Sequence, residues 1–512
     1  MVNKVYSNRI SEYAHENGGR VIILFLLFLL AIYEFLHSGL NTFAIICISP
    51  IIILIGFSIF KWKMAAFWGL IVANYFVSFK NVNIYIPVPI SLIDEAIEIL
   101  LIAIAIIDTR AQAHFGKIFN IMLLAISIWF GFCIVEVFND TCGLGINLTA
   151  WFTGARLMAF QLLWILIVFS LYITSPHILI RYLKIWACLS LFSAFWTWKM
   201  SIFGLTDAEN SFLYGPGMNT HLLQAGTLIR YWSNFSDAAN YGCNAACAAL
   251  AFIIFGITSK IKKDKIFFLL TSIVVIWGMF QSGTRTAIFC MVGGFAVFLV
   301  LSKSFRIMVP SAIVGAIFLL LLVFTNIGNG NQQIRRMRSA FDKKDASANV
   351  RDINKAAIAK YMKDAPWGIG IGMFEKDIPA WNKFKIVSQI PPDSEYVFIW
   401  VRTGAIGVSI FALCMIIILS GASYIVLFKL KSPSLIGIGA GMCAAFTAIQ
   451  LGGYANQVIF QYPNGLTFYG GMAIVYLLPY LEPEWIKYEQ QRLAIQEEKK
   501  RLKLEKKLAK RV

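Results

Sequence analysis

Apolar runs of about twenty residues recur along nearly the whole chain, and that repetition closes off most folds. Of the 512 residues, 58% are hydrophobic and only 14% charged, whereas soluble domains are about 45–50% apolar and about 25% charged. A bilayer core of roughly 30 Å asks for about 20 residues of helix per crossing, and in lipid a helix satisfies its own backbone. The expected fold is all-α: a polytopic membrane protein with about 12–14 transmembrane helices and one large extramembrane loop containing short helices. The candidate spans are 21–36, 41–60, 64–79, 90–108, 118–138, 152–173, 185–203, 238–258, 266–281, 285–302, 307–325, 396–428, 435–452 and 464–481. The run 90–108 carries Asp94, Glu95 and Glu98, and 396–428 is long enough to include a re-entrant turn near Gly404 and Gly407.

The loops set an orientation. If the N-terminus is cytoplasmic, the loops with Lys61/Lys63, Arg110/Lys117, Arg181/Lys184, Lys260–Lys265, Lys303/Arg306 and Lys429/Lys431 all fall inside, as positive-inside bias requires. Both termini are then cytoplasmic. The resulting plan is a cytoplasmic segment 1–20, transmembrane helices 1–11 over 21–325, a large outer-face loop 326–395, helices 12–14 over 396–481 and a charged tail 482–512. Met1–Arg20 is too long and too mixed in charge for a cleavable signal, so 21–36 reads as the first retained span. The tail alternates charged and apolar residues at helical spacing, as a cytosolic helix resting on anionic lipid would. The net charge of +18 fits orientation and contact with membrane lipids, and does not indicate nucleic acid.

Metal chemistry has little to work with. The nine cysteines form no CxxC and, apart from Cys142, fall in or beside apolar runs; the five histidines are scattered. No metal and no cofactor is expected.

Chemistry therefore falls to charged groups at the outer face. Ser282-Gly283-Thr284-Arg285-Thr286-Ala287 puts an arginine between two spans, where an ionisable group is costly and points to function. Arg230 precedes another span. The 326–395 loop is the largest polar block and is rich in basic residues, including Arg335, Arg336, Arg338, Arg351 and Lys355. Guanidinium forks grip phosphate oxygens and stay protonated, so a cationic bowl here suits a pyrophosphate. Residues 349–363 read as an amphipathic helix with Ile353, Ala356, Ala357, Ala359 and Tyr361 as its apolar content. Gly368, Gly370 and Gly372 would let backbone approach a ligand closely. Asp393 and Glu395, just before the chain re-enters the bilayer, are candidate general bases for a sugar hydroxyl; each could equally pair with an arginine such as Arg285 or Arg402.

Taken in order, these features resemble a known family. A Ser-Gly-x-Arg-x-Ala turn is followed by a loop with Arg351-Asp352, Lys355-Ala356-Ala357 and Pro366-Trp367-Gly368-Ile369-Gly370, then Tyr396 and Thr403-Gly404-Ala405-Ile406-Gly407. This is similar to the O-antigen ligase and O-antigen polymerase superfamily of bacterial inner-membrane glycosyltransferases. The resemblance covers about 225–425 by motif and the whole chain by topology. It implies transfer of an oligosaccharide from undecaprenyl pyrophosphate, at the periplasmic face, to lipid A–core or to a growing glycan acceptor. In that frame Arg285 matches the arginine that grips the donor pyrophosphate, and Arg230 the arginine ahead of a Phe/Asp turn. Arg351 and Tyr396 join them as substrate-binding candidates. Family ligases carry a His-Asn pair before the tyrosine; here Asp393-Ser394 stands there, with Glu395 before Tyr396. The departure moves the catalytic base to Asp393 or Glu395 and favours a polymerase or a divergent subfamily. Competing readings are a lipid-glycan transporter or flippase, and a non-catalytic membrane scaffold.

Overall fold

The computed structural model describes residues 61–79, 90–108, 112–215, 221–223, 228–327, 332–339 and 346–508, with Gly330 and a few isolated positions before residue 34. The expected span 41–60, most of 21–36, most of the N-terminal segment and the last four residues of the tail lie outside the described residues. The chain divides into two compact units, Met1–Phe67 and Trp68–Val512. Of the first unit, the continuous described stretch is 61–67, which opens a helix, α1 (Lys63–Phe76). All that follows concerns the second.

The chain is an all-α polytopic membrane protein. After α1 come α2 (Ile90–Ile107), α3 (Ile121–Val135), α4 (Leu148–Tyr172), α5 (Pro176–Ile202), α6 (Ala238–Thr258), α7 (Lys262–Gln281), α8 (Thr286–Leu301) and α9 (Phe305–Phe324). Two helices of the polar block follow, α10 (Gln332–Arg338) and α11 (Ala346–Met362). The last three are α12 (Glu395–Tyr424), α13 (Pro433–Ala455) and α14 (Gly470–Leu508). Among the described residues, seven helices are long and apolar enough to cross a membrane: α3 (extended to Phe138), α4, α5, α6, α7, α12 (extended to Lys429) and α13. The one described β element is a two-residue hairpin pairing Leu222 with Ile229 and Leu223 with Leu228.

Composition decides which helices sit at the centre. α6 and α13 are rich in Ala, Gly and Cys and are buried over most of their circumference. Small residues let backbones close on each other where lipid offers no hydrophobic drive to associate. α3, α5 and α7 carry large exposed residues such as Leu124, Phe195 and Leu270, as helices facing lipid do.

The polar block is a compact layer with its own apolar core. Ile358, Met362, Ala365, Ile369, Met373, Ile378, Phe384 and Val387 pack with Val401 of α12 and with Cys142 and Ala150. Cys142, in a loop by sequence, is buried here and donates its thiol to Ile369 O at 3.3 Å. α11 turns a different face inward than its pattern suggests: Ile358 and Met362 are buried, while Ile353 is exposed. The core lies beneath the C-terminal half of the helix, so the N-terminal apolar residue stays outside it.

The glycines after Pro366 approach protein rather than ligand. α12 is broken at Gly404 (φ 71°, ψ −175°). Ile369 N donates to Val401 O at 2.9 Å and Gly370 N to Arg402 O at 3.1 Å, so an extended segment of the block fills the gap in the helix ladder. A Cβ at Gly404 would collide with Pro366 O, and one at Gly372 with Ala150 O.

At the basic face, the C-terminal half of α14 braces the loops. Glu482 accepts from Lys431 N (2.7 Å) and Ser432 N (2.6 Å), Glu489 pairs with Lys260 (2.8 Å), and Asp264 is held by Arg492 and by Lys184 (2.9 Å).

Candidate active site at the block face

The turn between α7 and α8 is the centre of the site. Ser282 ends α7, Gly283 takes φ 57°, and Thr284 and Arg285 lead into α8. α6 lies flush against this turn: a Cβ at Gly242 would strike the Ser282 and Thr284 side chains. Thr284 Oγ1 donates to Ala238 O at 2.7 Å, tying the turn to the N-terminus of α6. There Asp237 caps the helix, accepting from Ala239 N (2.7 Å) and Asn240 N (2.9 Å), which satisfies end amides and complements the helix dipole.

Arg230 reaches this turn from the loop before α6. Its Nε donates to Ser282 O at 3.2 Å and its Nη2 to Thr284 Oγ1 at 3.1 Å. Burial lowers the Arg230 pKa, Asp237 opposes that, and the charges of Arg285 and Arg351 lower it further. The guanidinium remains protonated at any physiological pH. Arg285 and Arg351 are thus near enough to Arg230 for like charge to act on it.

The polar block closes over the turn. Arg336 Nε of α10 donates to Gly283 O at 2.7 Å, Gln333 Nε2 to Ile229 O at 3.1 Å, and Arg285 Nη1 to Ser339 Oγ at 3.4 Å. These contacts require Gly283: a Cβ there would lie 2.9 Å from Gln333 Oε1 and 3.2 Å from Arg336 Cδ. On α11, Arg351 and Asn354 are three residues apart and share a face. Asn354 Nδ2 donates to Asp393 Oδ2 at 2.8 Å. Asp393 itself holds φ 52°, an uncommon backbone state for a residue other than glycine and one that clusters at functional sites.

Of the sequence candidates, Arg230 and Arg285 therefore lie at the turn, Arg351 is near Arg230, and Asp393 is joined to α11 through Asn354. Glu395 and Tyr396 point elsewhere. Glu395 is 3% exposed and accepts from Ile459 N at 2.9 Å, holding the 456–463 loop. Tyr396 donates to Gln450 O (3.2 Å) and lies 3.1 Å from Gln450 Oε1 on α13. Arg402 is buried between the rings of Phe374 (4.2 Å) and Phe398 (5.3 Å) rather than against either carboxylate. Sequence reasoning named Arg336 only among the basic residues of the block, and missed Gln333, Ser339 and Asn354 as parts of the site. Their signal was the spacing: Gln333, Arg336 and Ser339 recur every three residues along one side of α10 and its end.

Among the described residues, no group of three His, Cys, Asp or Glu side chains is placed to hold a metal ion. The arrangement offers fixed cations, oriented by carbonyl and hydroxyl oxygens, beside the positive N-terminal end of α8. Such a site can hold a polyanion and stabilise charge that grows on it.

Comparison with known proteins agrees with that chemistry. Residues 269–412 match the family model described as O-Antigen ligase, a stretch that contains Arg285, Arg351, Asp393, Glu395 and Tyr396 but not Arg230. No curated protein matches the chain. The match supports membership of the O-antigen ligase and polymerase superfamily and, in general terms, a ligase-like role in glycan transfer.

Proposed function

We propose that the protein transfers an oligosaccharide from undecaprenyl pyrophosphate to a glycan acceptor at the periplasmic face of the bacterial inner membrane, in surface polysaccharide biosynthesis. The acceptor is lipid A–core in a ligase or a growing glycan in a polymerase. Both termini face the cytoplasm, as the basic loops favour.

The observation that carries the reading is Arg230 held on the Ser282–Thr284 turn, with Arg285 and Arg351 near enough for their charge to act on it. The donor pyrophosphate sits against these guanidiniums and the N-terminus of α8. The acceptor oxygen attacks the anomeric carbon, the bond from that carbon to the phosphate oxygen breaks, and undecaprenyl pyrophosphate departs with the electron pair. Fixed cations stabilise the charge that develops on it in a water-poor site. The proton of the acceptor hydroxyl passes to a carboxylate. Asp393 is better placed for that than Glu395, whose carboxylate is engaged with backbone amides of the 456–463 loop. Tyr396 acts on substrate by fixing the start of α12 against α13.

The test uses purified full-length protein in nanodiscs with a lipid-pyrophosphate oligosaccharide and acceptor, without ATP or an ion gradient. Wild-type transfer, lost in Asp393→Asn and largely kept per folded molecule in Glu395→Gln, is the expected result. Loss in Glu395→Gln with activity kept in Asp393→Asn would reverse the assignment of the base. No transfer by the wild type would remove the enzyme reading.

One observation favours the transporter reading. Asp94, Glu95 and Glu98 are buried in α2, with Asn74 donating to Asp94 at 2.8 Å and Arg156 lying 3.4 Å from Glu95. Intramembrane ionisable groups of this kind mark ion pathways in carriers. Gradient-dependent movement of the lipid-linked glycan across a liposome, without glycosidic bond formation, would favour that reading.

A further inference from the structure

A groove of about 540 Å³ runs between α1 and α5, lined by none of the arginines of the turn. Its lining changes character along its length. At the basic face it is lined by His177, Arg181 and Lys184, and toward the membrane centre by Ile185, Cys188 and Phe192, with Val72 and Phe76 opposite. Along α5 these residues follow one stripe, at helical spacing. The far end is closed by aromatic contact: the Phe76 and Phe192 rings are 5.0 Å apart.

The dimensions suit one lipid leaflet. From Arg181 to Phe192 the helix rises about 16 Å at 1.5 Å per residue, close to half of a core roughly 30 Å thick. The charge suits an anionic headgroup. Arg181 is exposed, its guanidinium 5.9 Å from the Trp68 ring centroid; His177 lies against Tyr488 (ring centroids 4.5 Å apart). Lys184 shares Asp264 with Arg492, so that single carboxylate serves two cations and a positive surplus remains. Basic pockets between membrane helices on the cytoplasmic side bind acidic lipid headgroups.

We propose that this groove is a binding site for one anionic glycerophospholipid of the leaflet at the basic face. The phosphodiester lies against Arg181 and Lys184, and an acyl chain lies along Ile185, Cys188 and Val72 as far as the Phe76–Phe192 contact. The site is independent of the transfer reaction.

Native mass spectrometry of delipidated full-length protein, titrated with phosphatidylglycerol or with phosphatidylcholine of the same chains, tests it. One phosphatidylglycerol per chain is expected to be retained in preference to phosphatidylcholine. Arg181→Gln should weaken phosphatidylglycerol about fivefold, the worth of one basic residue at a membrane surface, and leave phosphatidylcholine unchanged. Ile185→Trp should weaken both by filling the groove. Because Arg181 is exposed, its removal leaves the fold intact, which a thermal melt checks. Equal retention of the two lipids by wild type, or no change in Arg181→Gln, would overturn the proposal. So would a photo-reactive benzoylphenylalanine at position 188 that cross-links to residues 1–60 of the chain instead of to lipid.

Discussion

The two faces of the molecule treat charge in opposite ways. At the basic face, Asp264, Glu482 and Glu489 are met by cations or backbone amides: Arg492 and Lys184 on the first, Lys431 N and Ser432 N on the second, Lys260 on the third. At the block face, Arg230 donates to Ser282 O and Thr284 Oγ1, Arg336 to Gly283 O and Arg285 to Ser339 Oγ. At the basic face opposite charges brace the loops; at the turn carbonyl and hydroxyl oxygens orient the guanidiniums, and the Asp237 carboxylate offsets part of the repulsion on Arg230. The first arrangement holds structure together. The second concentrates positive charge at some cost in mutual repulsion, and an anionic substrate relieves that cost.

Substitution on each side should separate these roles. The largest effect is expected at Arg285. Arg285→Lys keeps the charge but loses the planar fork, and transfer should fall by about 100- to 1,000-fold, the range for removing one oriented donor from a charge-stabilising site. The melting temperature should hardly move. Wild-type activity in this variant would take Arg285 out of the mechanism. Gly404→Ala should do the reverse. Its φ of 71° with ψ −175° is a region open essentially to glycine alone, and the new Cβ would meet Pro366 O. Loss of about 3 kcal/mol or more of stability is expected, read as a lower melting temperature of the block and α12.

Arg492→Ala sharpens the comparison from the basic face. Asp264 is buried, and the substitution leaves it with Lys184, itself partly exposed. A loss of about 1–2 kcal/mol is expected, below the roughly 3–5 kcal/mol for orphaning a buried charge outright, because one partner stays. Transfer per folded molecule should be unchanged. An activity loss without a stability loss would mean that the brace communicates with the turn.

The all-α membrane class was legible because it rests on a local signal, twenty apolar residues in a row; the turn arginine drew notice for a similar reason, a cation where lipid should be. The sequence carried tertiary partners poorly. The glycines at 368, 370 and 372 announced close backbone approach, but nothing local says whether the approaching group is a ligand or a helix broken more than thirty residues later. Glu395 stood beside Asp393 with the same chemistry, and only the fold directs one toward Asn354 and the other toward Ile459 N. The acids of α2 were legible as an interruption of a span, yet their association with Asn74 and Arg156 depends on helices remote in sequence.

The smallest effect is expected at Asn354, and it bears directly on how the two halves of the site are joined. Asn354 Nδ2 holds Asp393 Oδ2 at 2.8 Å, while Arg351 on the same face of α11 contributes to the cationic cluster. Asn354→Ala should free the Asp393 carboxylate to rotate without removing it. One hydrogen bond to a charged group is worth about 1.5–3 kcal/mol at most, and reorientation recovers part of that, so a fall of about fivefold in kcat is expected with little change in the KM for the donor lipid. Asn354→Gln, which keeps a donor on a longer arm, should recover part of the loss. If instead the KM for the donor rises and kcat holds, Asn354 serves the phosphate side with Arg351. Asp393 would then be a structural partner of α11 rather than the base.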